Sequence, residues 1–430
     1  MLKGRPEARS LVRCLGDKRL ALDHKTTLTL VIFVLTYASV AVGHVWELHL
    51  DRTGIALLGA IAMVVTGCIS GKQALHAVNF SSLFMLYGLM ILSGQLRFGG
   101  FYTWVVQKIS GYLDRPGLFL GLLMALSGLL SAFLINDVVC LAFASVVTVP
   151  LLQRNINPVP FLVALAVSAN IGAAATLMGN PQNIMVAQVA GLHFQDYLLW
   201  CCPPVIGAMA LAYAVLWLLG KNRLALNQPV QLKANDSPQI DRWQTSKGLV
   251  VAGIVVVLYF TELPRAMVTV AAAGFLLASH RMHSKDLLSR VDWPLLTLFT
   301  GLFIVVGAFQ LTGLGEQGMA WLRNRGFDLA NPYLLSVATG ILSNLMSNAA
   351  AIMLLINLVD LHNPVNGYLL SLANSFAGNL ILLGSLANLI VVEEAKSVGV
   401  EISFREFFRY GLPITLSAYG VLGLWIFLRT

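Results

Sequence analysis

Apolar residues fall in long, nearly unbroken runs separated by short polar connections, a pattern of membrane spans and not of half-buried strands or one-sided soluble helices. Runs able to cross about 30 Å of hydrocarbon at about 1.5 Å per residue occupy 28–46, 53–69, 80–96, 158–190 and 199–219. A second set follows at 248–260, 265–279, 294–311, 365–395 and 407–428. Between the third and fourth run of each set lies an extra apolar stretch, 117–152 and 331–359, interrupted near its middle by asparagine. These two stretches read as hairpins dipping into the bilayer.

The two sets register on one another. Arg52 and Arg265 stand 213 positions apart, as do Asn79 and Asp292, Gly88 and Gly301, and Gly100 and Gly313. Asn136 pairs with Asn348 at 212, Asn170 with Asn374 at 204, and Gly179 with Gly384 and Asn183 with Asn388 at 205. Such internal symmetry marks a transporter built from repeats. Five crossings per copy is an odd number, so the copies are inverted. The expected organisation is a basic segment at 1–27, a first repeat at 28–219, a polar central loop at 220–247 and a second repeat at 248–430. The fold class is an all-α polytopic membrane protein, with one re-entrant hairpin and one discontinuous helix per repeat.

Composition agrees: 57% apolar and 11% charged residues depart far from a soluble chain, in which about a quarter are charged. The net charge of +8 would suggest nucleic acid in a soluble protein, but here Lys and Arg sit between apolar runs and set topology. Of the 28 basic residues, 16 fall on the side of the central loop and 12 on the other, seven of those within the first 25 residues. Leaving these seven aside puts the central loop in the cytoplasm and both termini outside. The basic amino terminus conflicts with that assignment; an interfacial helix at 10–22 or a different start codon removes the conflict. A full span without a small-residue cleavage site follows it, which argues against a cleaved signal peptide. The five cysteines, Cys14, Cys68, Cys140, Cys201 and Cys202, lack metal-site spacing and read as core fillers.

Chemistry concentrates where the apolar runs are interrupted. In FLINDVV and NLMSNAA, an asparagine ends one helix and can cap the next, so each tip presents a helix N-terminus and amide groups, a seat for an anion. Asp137 is the only acid mid-run in the first copy, and its counterpart in the second is Ala349. A carboxylate at span centre costs about 2.5–3.5 kcal/mol on insertion scales, so a sodium ion, a proton or a basic residue must meet it; with no Lys or Arg mid-span nearby in sequence, Na⁺ or a proton ranks above a salt bridge. The run SANIGAAATLMGNPQN breaks through Gly172, Gly179 and Pro181, and LANSFAGNLILLGSLAN through Gly378, Gly384 and Ser385. Asn170, Asn180, Gln182, Asn183, Asn374, Asn379, Ser385 and Asn388 supply amides or hydroxyls around the breaks. Glu393, Glu394 and Lys396 fit either a relay for the coupling ion or a span end reaching water. Gln95–Arg97 reads as a span end, and 104–112 as an interfacial helix.

These motifs, with NDVVCLAFASVVTVPLL and GSLANLIVVEEAK, resemble the ion transporter superfamily in its arsenite-permease-like and NhaD-type branch, with citrate and divalent-anion symporters as more distant relatives. The likeness spans nearly the whole chain from about residue 28. It implies a homodimer in which a scaffold holds still while a transport domain of hairpins and broken helices moves as an elevator. By position it assigns Asn136, Asp137, Gly179 and Asn183 to one half-site and Ser347, Asn348, Gly384 and Asn388 to the other. The dicarboxylate branch carries Ser-Asn-Thr at both tips; here the tips read Ile-Asn-Asp and Ser-Asn-Ala, a departure from dicarboxylate specificity.

The expected function is secondary active transport of an anion or oxyanion-like solute, of the arsenite, organic-anion or inorganic-anion class, by symport or antiport with Na⁺ or H⁺. Substrate contacts are expected from Asn136, Asn183, Ser347, Asn348, Ser385 and Asn388. The coupling ion, Na⁺ if a metal, is expected at Asp137 with Asn136, Gly179, Asn180, Asn348 and Gly384. The alternative is a sodium/proton antiporter of the NhaD type. The chain is not read as an enzyme, since it has no HExxH motif and no second mid-membrane aspartate suited to a dyad. No cofactor is implied beyond the coupling ion, and the partners are lipid, the transported ion and a second copy of the chain. The place is the cell (inner) membrane.

Overall fold

The computed structural model describes residues 24–42, 50–223, 240–278 and 283–429. Most of the basic segment 1–27, with Cys14 and the helix expected at 10–22, lies outside the described residues, as do positions 224–239 of the central loop. The first half contributes α1 (His24–Val42), α2 (Arg52–Val65), α3 (Gly71–Ala77), α4 (Phe80–Phe98), α5 (Phe101–Ser110), α6 (Pro116–Phe133), α7 (Asn136–Gln153), α8 (Val159–Ala173), α9 (Pro181–Ala190) and α10 (Phe194–Gly220). The second contributes α11 (Arg242–Leu258), α12 (Arg265–Leu277), α13 (Ser284–Leu288), α14 (Trp293–Gln310), α15 (Leu314–Asn324), α16 (Pro332–Met346), α17 (Asn348–Leu355), α18 (Pro364–Ala377), α19 (Leu386–Ser397) and α20 (Phe404–Arg429).

The helices recur in the same order because the same local signals recur. Asn79 and Asp292 cap α4 and α14 alike, each accepting from the N–H three residues on, Ser82 and Leu295, at 2.9 Å. Gly100 and Gly313, at φ +76° and +67°, turn the chain into α5 and α15. Those are left-handed conformations in which a side chain would be strained.

Two groups of helices pack internally. In one, α2 lies against α14 and α4 against α12, with α1 on α2 and α11 on α12. Both crossings need glycine: a Cβ on Gly88 would lie 2.6 Å from the carbonyl oxygen of Thr269, and one on Gly301 2.8 Å from that of Ala56. In the other group α6 packs on α8, α16 on α18, and α10 on α20. Here Gly172 meets Gly128 so closely that a Cβ would fall 2.2 Å from its carbonyl oxygen.

Among the described residues six helices, α1, α6, α7, α10, α14 and α20, are long and apolar enough to cross a membrane, or seven spans if α3 and α4, bent by 54°, form one. The sequence reading of ten spans counts differently: α6 and α7, read there as a hairpin, are each long enough to cross, α4 counts only with α3, α11 has 17 residues, and two further causes remove four of the expected runs. First, α2 and α12 hold only 14 and 13 residues, about 21 and 20 Å of helix. Second, the runs 158–190 and 365–395 are each interrupted, between α8 and α9 and between α18 and α19. The arms of the hairpin expected at 117–152, α6 and α7, have 18 residues apiece, so length alone does not mark them as re-entrant.

Candidate functional site

The interruptions in α8–α9 and α18–α19 are held by the same bonds. Asn183 donates its amide to the carbonyl oxygens of Ala173 (2.9 Å) and Thr176 (3.1 Å), and Asn388 to those of Gly378 (2.7 Å) and Ile381 (3.2 Å). Every pair of equivalents differs by 205. Each asparagine ties down carbonyls that the broken helix leaves unpaired, which is how a gap in a helix survives in a buried place. Reciprocal contacts join the halves: Ser385 Oγ donates to Asn170 Oδ1 at 3.1 Å, and Asn180 Nδ2 reaches Ser375 Oγ at 3.5 Å. These contacts equate Asn170 with Ser375 at the same offset of 205, correcting the pairing of Asn170 with Asn374 by one residue. Asn170 is the hub. It accepts from Asn136 Nδ2 and donates to Asn379 Oδ1 and Asn388 Oδ1, each at 3.1 Å.

The tips meet at this network. Asn136 and Asn348 do not cap α7 and α17 as the sequence suggested: each is the first helical residue, and the caps are Ile135 and Ser347, neither with a side-chain capping bond. With the turn made by the residue before it, each asparagine side chain is released for other bonds. Asn136 turns to Asn170, its backbone N–H donating to Gly179 O at 3.0 Å, while Asn348 Oδ1 accepts from Ser343 Oγ. Ser347 holds φ +81°, ψ 150°, a region that non-glycine residues avoid.

One small cavity collects the tips and the breaks. Asn136, Asp137, Asn180, Ser347, Asn348, Gly384 and Ser385 line it, together with Arg52, Gln182 and leucines of α14 and α19. The space open to the centre of a water-sized sphere is about 20 Å³, room for about one water. The first residues of four helices, α7, α9, α17 and α19, reach this one space. The Asn136 N–H is taken by Gly179 O, Pro181 has none and the Gln182 N–H is held by Asn180 Oδ1, so it is the aligned dipoles of the four helices that make the place favourable to negative charge. A hollow of about 410 Å³ adjoins it, sharing Arg52, Leu295, Leu298 and Leu386 and adding Asp51, Asp292 and the exposed Glu393.

Of the residues expected at the site, Asn183, Asn388 and Gly179 do not line the cavity. The two asparagines are fully buried behind it with their amide N–H groups committed to the breaks. At Gly179 a Cβ would fall 2.4 Å from Ser131 O, so the glycine serves close packing. Glu394 is half-buried and Lys396 exposed, and neither lines the cavity or the adjoining hollow. Sequence reasoning missed Arg52 and the hub position of Asn170. Arg52 sits at the edge of an apolar run, where arginine ordinarily reads as a topology signal; its one further mark is recurrence as Arg265.

A model of the citrate transporter family (CitMHS) matches residues 31–373. The chain is 30% identical to an uncharacterized transporter of Mycobacterium tuberculosis over 94% of its length and 98% of the relative's. It is 27% identical to the silicon efflux transporter LSI3 of rice (Oryza sativa subsp. japonica), over 89% of this chain and 96% of that one. The crystal structure of the Alcanivorax borkumensis YdaH transporter shares the fold, with a TM-score of 0.61 at 14% identity, covering 94% of this chain and 99% of that one. The chain therefore belongs to the citrate transporter family and is a multi-pass integral membrane transporter, not an enzyme.

Proposed function

We propose that the chain carries a small oxyanion or carboxylate solute across the membrane, coupled to Na⁺ or H⁺ at Asp137. The observation that carries this reading is the convergence of four helix N-termini on one cavity, with Arg52 on its wall. That arrangement favours an anion. Asp137 would be unwelcome beside such a substrate unless a cation or proton accompanied it, which is the basis of coupling. Asn136 Oδ1 and Gln182 Oε1, buried and without a donor, line the same cavity and offer oxygen ligands beside the carboxylate.

The halves act as inverted repeats, α6–α7 and α16–α17 being hairpins entered from opposite faces. The adjoining hollow opens where α2, α11 and α14 begin, the end bearing the central loop, so with that loop cytoplasmic the protein faces inward. Transport follows when the group containing the tips and breaks slides, as an elevator, against the group built on α2, α4, α12 and α14.

A sodium/proton antiporter is the second reading, favoured by a cavity with room for about one water. Proteoliposomes loaded with a Na⁺ or pH gradient separate the two. Labelled arsenite, silicate, sulfate, citrate and Na⁺ are the probes. Gradient-dependent uptake of an oxyanion or carboxylate, lost in Asp137→Asn, is the expected outcome. Undiminished gradient-driven uptake in that variant removes Asp137 from coupling, and Na⁺/H⁺ exchange without anion uptake selects the second reading.

A further inference from the structure

Arg52 and Arg265 are equivalent in the duplication, and each is the first residue of its helix, α2 and α12. A cation there faces the positive end of the helix dipole, a disfavoured placement that both copies keep. Topology accounts for Arg52 on the central-loop side but not for Arg265, which falls on the other. Arg52 is half-buried, lines both the cavity and the hollow beside it, and has no hydrogen-bond or ion-pair partner among the described residues. A guanidinium left unpaired against a cavity is a ready partner for a carboxylate or oxyanion.

The two halves do not stand alike around these arginines. Leu298 of α14 and Glu393 of α19 both line the open hollow on the Arg52 side. Their equivalents, Met85 of α4 and Gln188 of α9, touch: Gln188 Nε2 lies 3.4 Å from Met85 Sδ. Helix α9 packs directly on α4 there. Between α4 and α9 the Arg265 side is thus closed at Met85 and Gln188, while the Arg52 side is open between α14 and α19; a separate hollow of about 370 Å³ on the Arg265 end, beside Asn79, Ser81 and Val189, is not lined by Arg265. If the halves exchange these arrangements, Met85 parts from Gln188 and Arg265 gains the place at the cavity wall that Arg52 now holds.

We propose that Arg52 and Arg265 are alternate anchors for the anionic substrate, Arg52 when the site opens on the central-loop side and Arg265 when it opens on the other. This rests on reading the site as an anion site. The test uses vesicles of known orientation with citrate, arsenite and silicate as probes. Arg52→Ala raises KM for the transported probe at the central-loop face by about tenfold or more, the size expected for a lost charged hydrogen bond, and leaves the other face unchanged. Arg265→Ala does the reverse, and the lysine variants restore part of each loss. In a background without the five native cysteines, an impermeant thiol reagent labels Arg52→Cys from the central-loop face only. Bridging Met85→Cys to Gln188→Cys abolishes labelling of Arg265→Cys and spares that of Arg52→Cys. Normal anion flux with unchanged KM in the alanine variants overturns the anchors alone. Equal changes at both faces, or labelling of Arg265→Cys that ignores the bridge, overturn the alternation. A wild-type protein that exchanges Na⁺ for H⁺ and carries none of the probes removes the anion site and the anchors together.

Discussion

Ser347 makes the tightest local compromise in the molecule. Among the described residues only it and Asn155 are non-glycine residues with positive φ, and its ψ of 150° puts it where glycine alone is comfortable. Such a conformation costs about 1–3 kcal/mol, and glycine gives back about 0.5–1 through the unfolded chain. Ser347→Gly should therefore stabilise the protein by about 1 kcal/mol, read as a rise in thermal midpoint in detergent. Loss of the hydroxyl from the cavity should weaken substrate affinity in the same variant. At this scale the sequence was informative where polarity was out of place: Asn136, Asp137 and Asn348 stand out within apolar runs. It was silent on Arg52, because a charge at the edge of a run looks alike whether it faces water or a cavity. Only the approach of α2 to the tips distinguishes the two.

The two broken helices are the elements on which the site depends. Glycine, proline and serine made both interruptions legible, since no regular helix runs through Gly179 and Pro181 or past Gly384 without cost. What keeps them open was misread. Asn183 and Asn388 were expected against substrate, and instead each holds two carbonyls three residues apart at the start of its break. Replacing either with alanine leaves those carbonyls buried and unpaired, at about 1–3 kcal/mol each. Asn183→Ala and Asn388→Ala should each lower stability by about 2–6 kcal/mol, measured as loss of thermal midpoint. A variant that kept its stability while losing substrate affinity would return the side chain to the binding role. The hairpin tips were legible as turns, but not their asymmetry. One is an extended Leu134–Ile135 and the other a single strained serine, a difference of backbone that residue types do not encode.

At the scale of the whole molecule, offsets of 213 and 205 residues made the recurring order of elements legible, and the bonds of Asn183 and Asn388 show how closely the two breaks agree in detail. Span lengths were less legible, because apolar runs do not show where a helix stops inside them. The difference between the halves was not legible at all: Met85 meets Gln188 at one end while Leu298 and Glu393 line an open hollow at the other. The alternating access proposed above requires the halves to exchange these arrangements in each cycle. Cysteines at 85 and 188, in a background lacking the native five, can be bridged with a short reversible bifunctional thiol reagent and gradient-driven flux measured before bridging, after it and after reduction. Flux should stop when the bridge forms and return when it is cut. Full flux through the bridged protein would contradict the exchange and the alternating site with it.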